Sequence, residues 1–170
     1  MLTPSEPLTV AAVLLSAGGG AAVDLHTRRV PNRLTLGAAL LGLAAAILGL
    51  GAMSPASALL GFVVGLVLML PGHLFGGTGG GDVKLMAALG MWLGAPLIVK
   101  AFLYSAIAGG LITLVVATRR GRVGATFAGA ARLVSSPASA RREVGAADRD
   151  NRFPYAPAIA AGSALAVLGF

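Results

Sequence analysis

Residues 56–93 read ASALLGFVVGLVLMLPGHLFGGTGGGDVKLMAALGMWL. An apolar run, Ala56–Leu74, is interrupted by a glycine-rich segment that ends in one acid, Asp82. A second apolar run, Val83–Leu93, follows at once. Two such runs on either side of a polar interruption are what a chain shows when it crosses an apolar solvent, turns and re-enters it.

Composition extends that reading to the whole chain. Of 170 residues, 56% are hydrophobic and 11% charged, where an ordinary soluble domain carries about 25% charged residues. Such a chain cannot cover its own surface in water, so its solvent is a bilayer. A helical crossing takes roughly 20 apolar residues, which leaves room for about six. The 25 glycines fit the same class, because small residues let helices approach closely in lipid. The absence of cysteine excludes disulfides and thiolate metal sites. Two histidines and six acids make a zinc site hard to assemble, so neither a metal nor a cofactor is expected. The start, MLTPSEPLTV, lacks a basic n-region, and the first apolar run is read as a retained span. Residues 1–170 are read as a single membrane domain, all-α and polytopic.

The apolar runs predict six transmembrane helices over Leu8–Asp24, Leu34–Ala52, Ala56–Leu74, Val83–Leu93, Pro96–Thr118 and Tyr155–Phe170. The fourth is short, tilted or partly re-entrant, and begins at the glycine loop. Basic residues mark the cytoplasmic side. Arg28, Arg29, Arg33, Lys84 and the arginines of 119–152 all fall on one side if the N-terminus lies outside. Lys100 alone falls elsewhere. The glycine-rich loop is thereby cytoplasmic. Within the basic loop 119–152, Val123, Phe127, Ala130, Ala131 and Val134 recur at helical spacing. That pattern reads either as an interfacial helix on anionic lipid or as a disordered basic loop. The formal charge of +7 therefore points to membrane lipid. No aromatic-interleaved basic platform suggests nucleic acid.

Acids carry the chemistry. Glu6, Glu143, Asp148 and Asp150 belong to the tail and the basic loop, whereas Asp24 and Asp82 sit at the ends of apolar spans. An ionisable group at membrane depth costs about 2.5–3.5 kcal/mol on insertion scales, which makes it a functional candidate. Both acids are predicted at the cytoplasmic boundary, where they could face each other. Two carboxylates held close share a proton. One then takes a proton from water while the other protonates a carbonyl oxygen, as aspartic peptidases require. Taken singly, each aspartate is equally a helix cap or an arginine partner.

The residues around the acids narrow these readings. Gly79-Gly80-Gly81-Asp82 resembles the GxGD signature of intramembrane aspartic peptidases, and GGTGGGDVKLMAALGMWLG, including Lys84, resembles its type IV prepilin peptidase form. The stretch Asp24 to Asn32, an aspartate followed by Arg28, Arg29, Val30, Pro31 and Asn32, is similar to that family's first aspartate motif. Phe153-Pro154-Tyr155-Ala156-Pro157 is similar to its last-span motif. The resemblance implies a six-span fold with Asp24 and Asp82 as the catalytic pair. It also implies prepilin or pilin-like substrates, cut after a glycine at the cytoplasmic face of the bacterial inner membrane. Larger members carry an N-terminal cysteine cluster linked to methylation. Its absence here implies a peptidase alone, closest to the short enzymes of tight-adherence (Tad/Flp) pilus systems.

Several neighbours carry two readings each. Lys84 either serves the site, holding the charge state of Asp82 or binding substrate, or anchors topology. Arg28 and Arg29 are anchors, or engage acidic substrate or lipid. Pro31-Asn32 starts the second helix. Pro154 and Pro157 shape the wall of the site, with Tyr155 as an interfacial aromatic between them, and Trp92 reads as an outer-interface anchor. His26 and His73 are loop or boundary residues. Outside the peptidase class, a small proton-coupled transporter is the alternative, since paired acids and broken helices also mark ion paths. It requires mid-membrane acids and an internal repeat, and no repeat is evident.

Overall fold

The computed structural model describes residues 7–51, 53–74, 78–119, 121, 124 and 155–170. Among them the chain is entirely helical: α1 (Pro7–Thr27), α2 (Asn32–Ile47), α3 (Pro55–Leu74), α4 (Gly80–Arg119) and α5 (Ala156–Val167). Three of these, α1, α3 and α4, are long and apolar enough to cross a membrane. At 16 and 12 residues, α2 and α5 fall short of the roughly 20 that a full crossing takes.

The predicted fourth and fifth spans are the two arms of α4. Gly94, at φ 68° and ψ 173°, breaks the helix between them. Only glycine enters that region without strain, and Pro96 follows in the first turn of the second arm, where a missing N–H costs nothing. The second span stops earlier than predicted, at Ile47, because Gly49 at φ 65° turns the chain out of the helix. Conversely α1 runs past its predicted end to Thr27, so Asp24 lies inside its last turn.

The first arm of α4 is the core. From Val83 to Gly94 every residue except Lys84 is buried, with Leu85, Met86 and Leu89 completely so. A helix apolar on all sides has to be surrounded, and α1, α2, α3 and α5 all pack on α4. Small residues make the closest of these contacts possible. Gly61 and Gly65 form a GxxxG pair on α3. A Cβ on Gly61 would overlap the carbonyl oxygen of Gly90, one on Gly90 would overlap that of Gly61, and one on Gly65 would stand 2.6 Å from the Met86 carbonyl.

Trp92 is corrected by this packing. It is 7% exposed, and its Nε1–H donates to the Ala38 carbonyl over 2.9 Å. Gly42 opens the space it fills on α2, since a Cβ there would stand 2.9 Å from Nε1. An indole with a buried partner belongs to the bundle interior rather than to an interface belt. The basic loop 119–152 lies almost entirely outside the described residues, so its interfacial helix does too.

Candidate active site

The C-terminal end of α1, the N-terminal end of α4 and the N-terminal end of α5 meet at one end of the bundle. Asp24 comes from the first of these and is 5% exposed. Its Oδ2 accepts a hydrogen bond from the Ala156 N–H over 3.4 Å, 132 residues away in the chain. The local sequence of α5 selects that donor. A helix start leaves its first N–H groups without intrahelical partners. Pro157, next in line, has no N–H to offer, and the Ala158 N–H already turns back to the Tyr155 carbonyl at 3.0 Å. The positive end of the α5 dipole thus faces a carboxylate, a favourable arrangement.

Asp82 is 6% exposed and stands in the first turn of α4. Its Oδ2 accepts the Gly79 N–H at 3.0 Å, while its own N–H donates to the Gly79 carbonyl at 3.1 Å. The first of these is the acid's half of a capping box, made from the third helical position, while the N-cap Gly79 has no side chain to return it. Asp82 thus helps to cap α4 from inside its first turn, rather than as the N-cap that one reading of the sequence expected. A carboxylate has about four lone-pair sites, and one such bond does not exhaust them. The Asp24 carboxyl lies within electrostatic reach of Asp82, as do His73 and Tyr155.

The loop between α1 and α2 closes over this end. A Cβ on Gly81 would stand 3.0 Å from the Val30 Cβ and 3.2 Å from its backbone nitrogen, so Val30 rests on the turn that carries Asp82. Pro31 caps α2, its carbonyl accepting the N–H of Leu34 at 3.1 Å and of Thr35 at 3.3 Å. Lys84 then ties the two motifs together, its Nζ donating to Asn32 Oδ1 over 2.9 Å. Arg28 follows α1 in the left-handed region, at φ 53°. Beside it the Thr27 hydroxyl lies 2.9 Å from the Val23 carbonyl oxygen and 3.0 Å from that of Arg29.

Of the residues singled out from sequence, Asp24, Gly79, Gly80, Gly81, Asp82, Tyr155 and Pro157 are gathered here. Pro31, Asn32 and Lys84 form the adjoining clamp. Pro154 lies outside the described residues. Tyr155 differs from its expected role as an interfacial aromatic, because it is half-buried and its O–H donates to the Ser105 carbonyl at 3.1 Å. His73, read from the sequence only as a boundary residue, stands beside the glycine turn. Its Nδ1 lies 3.1 Å from the Thr78 carbonyl oxygen, and Gly80 packs beside its ring. Only the fold of the glycine turn brings it there. Among the described residues no group of three His, Cys, Asp or Glu side chains could hold a metal ion.

Two buried acids from distant parts of the chain are thus held by backbone donors at one end of a helical bundle, and carboxyls are the residue type from which acid/base pairs are built. Comparisons with known proteins find relatives of this chain. The type IV leader peptidase family matches residues 8–114. A prepilin leader peptidase/N-methyltransferase of Bacillus subtilis is 33% identical over 150 residues, covering 87% of this chain and 50% of that protein. A protein of the same name from Burkholderia pseudomallei is 39% identical over 109 residues, covering 60% of this chain and 35% of its own length. The chain thus spans half or less of the curated relatives it matches. No solved structure gives a significant match. With the family covering most of α1 through α4 and both acids inside the matched region, the chain belongs to the type IV leader peptidase family.

Proposed function

We propose that this chain is a membrane-embedded aspartic endopeptidase that removes the leader peptide of a prepilin or pilin-like precursor. The observation that carries the reading is the convergence of Asp24 and Asp82, both buried, at one end of the bundle. Two neighbouring carboxylates favour a state in which one is ionised and the other protonated. The ionised member takes a proton from a water molecule as its oxygen attacks the scissile carbonyl carbon. The protonated member gives its proton to the carbonyl oxygen. Collapse of the tetrahedral intermediate then breaks the C–N bond, the amine leaving with a proton from the pair. No acyl-enzyme intermediate is needed.

The charge pattern supports a cytoplasmic site in a bacterial inner membrane. Arg28, Arg29, Arg33, Lys84 and Arg119 lie at helix ends on the side of the two acids, as the positive-inside rule requires, and would engage anionic lipid. An extended peptide, free of helix at its cut, would reach the two acids past the glycine turn, where backbone without side chains permits close approach. The resemblance of the motifs around Asp24 and Asp82 to those of prepilin peptidases is the ground for a cut after glycine.

The test uses the purified chain in lipid vesicles with a pilin-like precursor whose leader ends in glycine. Mass spectrometry of the products should place the cut directly after that glycine, and replacing it with valine should stop cleavage. Uncut precursor, or a cut indifferent to that residue, would overturn the assignment.

A further inference from the structure

We propose that Tyr155 is a positioning residue, a latch that holds the start of α5 so that the Ala156 N–H meets Asp24. The inference rests on the reading of Asp24 as a member of the acid pair. Ala156 is the residue directly after Tyr155, so anything that fixes Tyr155 fixes the donor. Two contacts do so. The phenol O–H donates to the Ser105 carbonyl over 3.1 Å. The ring lies on Gly109, where a Cβ would stand 2.5 Å from Tyr155 Cε2 and 3.1 Å from Cζ. Ser105 and Gly109 are one helical turn apart on the second arm of α4, so hydroxyl and ring dock on the same turn. That turn is sterically open only because residue 109 is glycine.

Latch and acid are thereby linked in one line. The second arm of α4 holds Tyr155, Tyr155 begins α5 by accepting the N–H of Ala158 at 3.0 Å and of Ile159 at 3.2 Å, and the first N–H of α5 meets Asp24. At 3.4 Å that last bond is near the outer limit of hydrogen bonding. A small withdrawal of α5 breaks it. Without the donor, Asp24 loses the group that orients its carboxyl and favours its charged form. As a positioning residue Tyr155 acts through Asp24, so its contribution falls on turnover rather than on binding.

The experiment compares wild type, Y155F, Y155L, G109A and the double variant Y155L/G109A in lipid vesicles with a pilin-like precursor. Y155F, which loses only the hydroxyl, should lower kcat about tenfold with KM within about twofold, misplacement of a catalytic group by an ångström costing up to ~100-fold. G109A, which pushes the ring away, should do the same. The double variant should be no slower than Y155L, because both changes break one latch. Wild-type kcat in Y155F, a loss confined to KM, or additive losses in the double variant would overturn the proposal. A second readout stands apart from activity. The Ala156 amide resonance in 15N-labelled protein should move in D24N and move the same way in Y155F, whereas an unmoved resonance in Y155F would refute the latch. Should the wild type cut nothing, the peptidase reading falls and the amide shift decides the latch alone.

Discussion

Lys84 donates from Nζ to Asn32 Oδ1 over 2.9 Å, joining two segments that lie 52 residues apart. The bond closes the loop that carries Val30 onto the turn that carries Asp82. It gives Lys84 a structural partner on the loop that follows Asp24. K84M and N32A are expected to slow cleavage about two- to tenfold each, and the double variant no further, as members of one bond do. Steady-state rates on a pilin-like precursor check this. If K84M instead raised KM and N32A left it unchanged, Lys84 would be a substrate contact.

The crossing of α3 and α4 should be intolerant of any side chain. G61A and G90A each place a methyl group into the opposing backbone, and overpacking of this kind costs about 1–3 kcal/mol. Both variants should unfold in detergent several degrees below wild type. G37A and G110A, where a Cβ meets nothing within 4 Å, should unfold at or above the wild-type temperature. Equal behaviour of all four would mean that α3 and α4 do not touch at Gly61.

Much of this arrangement was legible in the sequence. The apolar runs located α1 to α5, since burial in lipid leaves a continuous signal, and the gap between the predicted fourth and fifth spans fell at Gly94. Asp24 and Asp82 stood out because a bilayer penalises charge. What could not be read was which face of a helix meets protein and which meets lipid, because Leu, Val and Ala serve both. Trp92 was misplaced for that reason. An interface anchor and a core indole with a buried carbonyl partner have the same sequence. The early end of α2 at Ile47 was also hidden, as Leu48 and Leu50 continue the apolar run past the turn at Gly49. His73, Ser105 and Gly109 gained their roles only through contacts with residues distant in the chain or around an unforeseen turn.

Trp92 is the only tryptophan, so its environment is directly observable. Held between α4 and α2 with its Nε1–H on the Ala38 carbonyl, it should fluoresce with a blue-shifted maximum. Neither aqueous iodide nor a headgroup-labelled lipid quencher should dim it strongly. Strong quenching by the lipid label would place the indole at the bilayer interface instead. W92F should keep the fold but lose about 1 kcal/mol of stability, the ordinary net worth of one such hydrogen bond.

Asp24 and Asp82, at the meeting point of α1, α4 and α5, carry the proposed chemistry. The most direct measurement is the initial rate of precursor cleavage in lipid vesicles by wild type, D24N and D82N, with helicity and unfolding temperature followed in parallel. Each asparagine keeps shape and hydrogen bonding while removing the ability to exchange a proton. Both variants are expected to lose at least about a thousandfold in rate, the scale of an essential acid or base, with the fold intact. Cleavage at near wild-type rate by either one would contradict the two-acid mechanism.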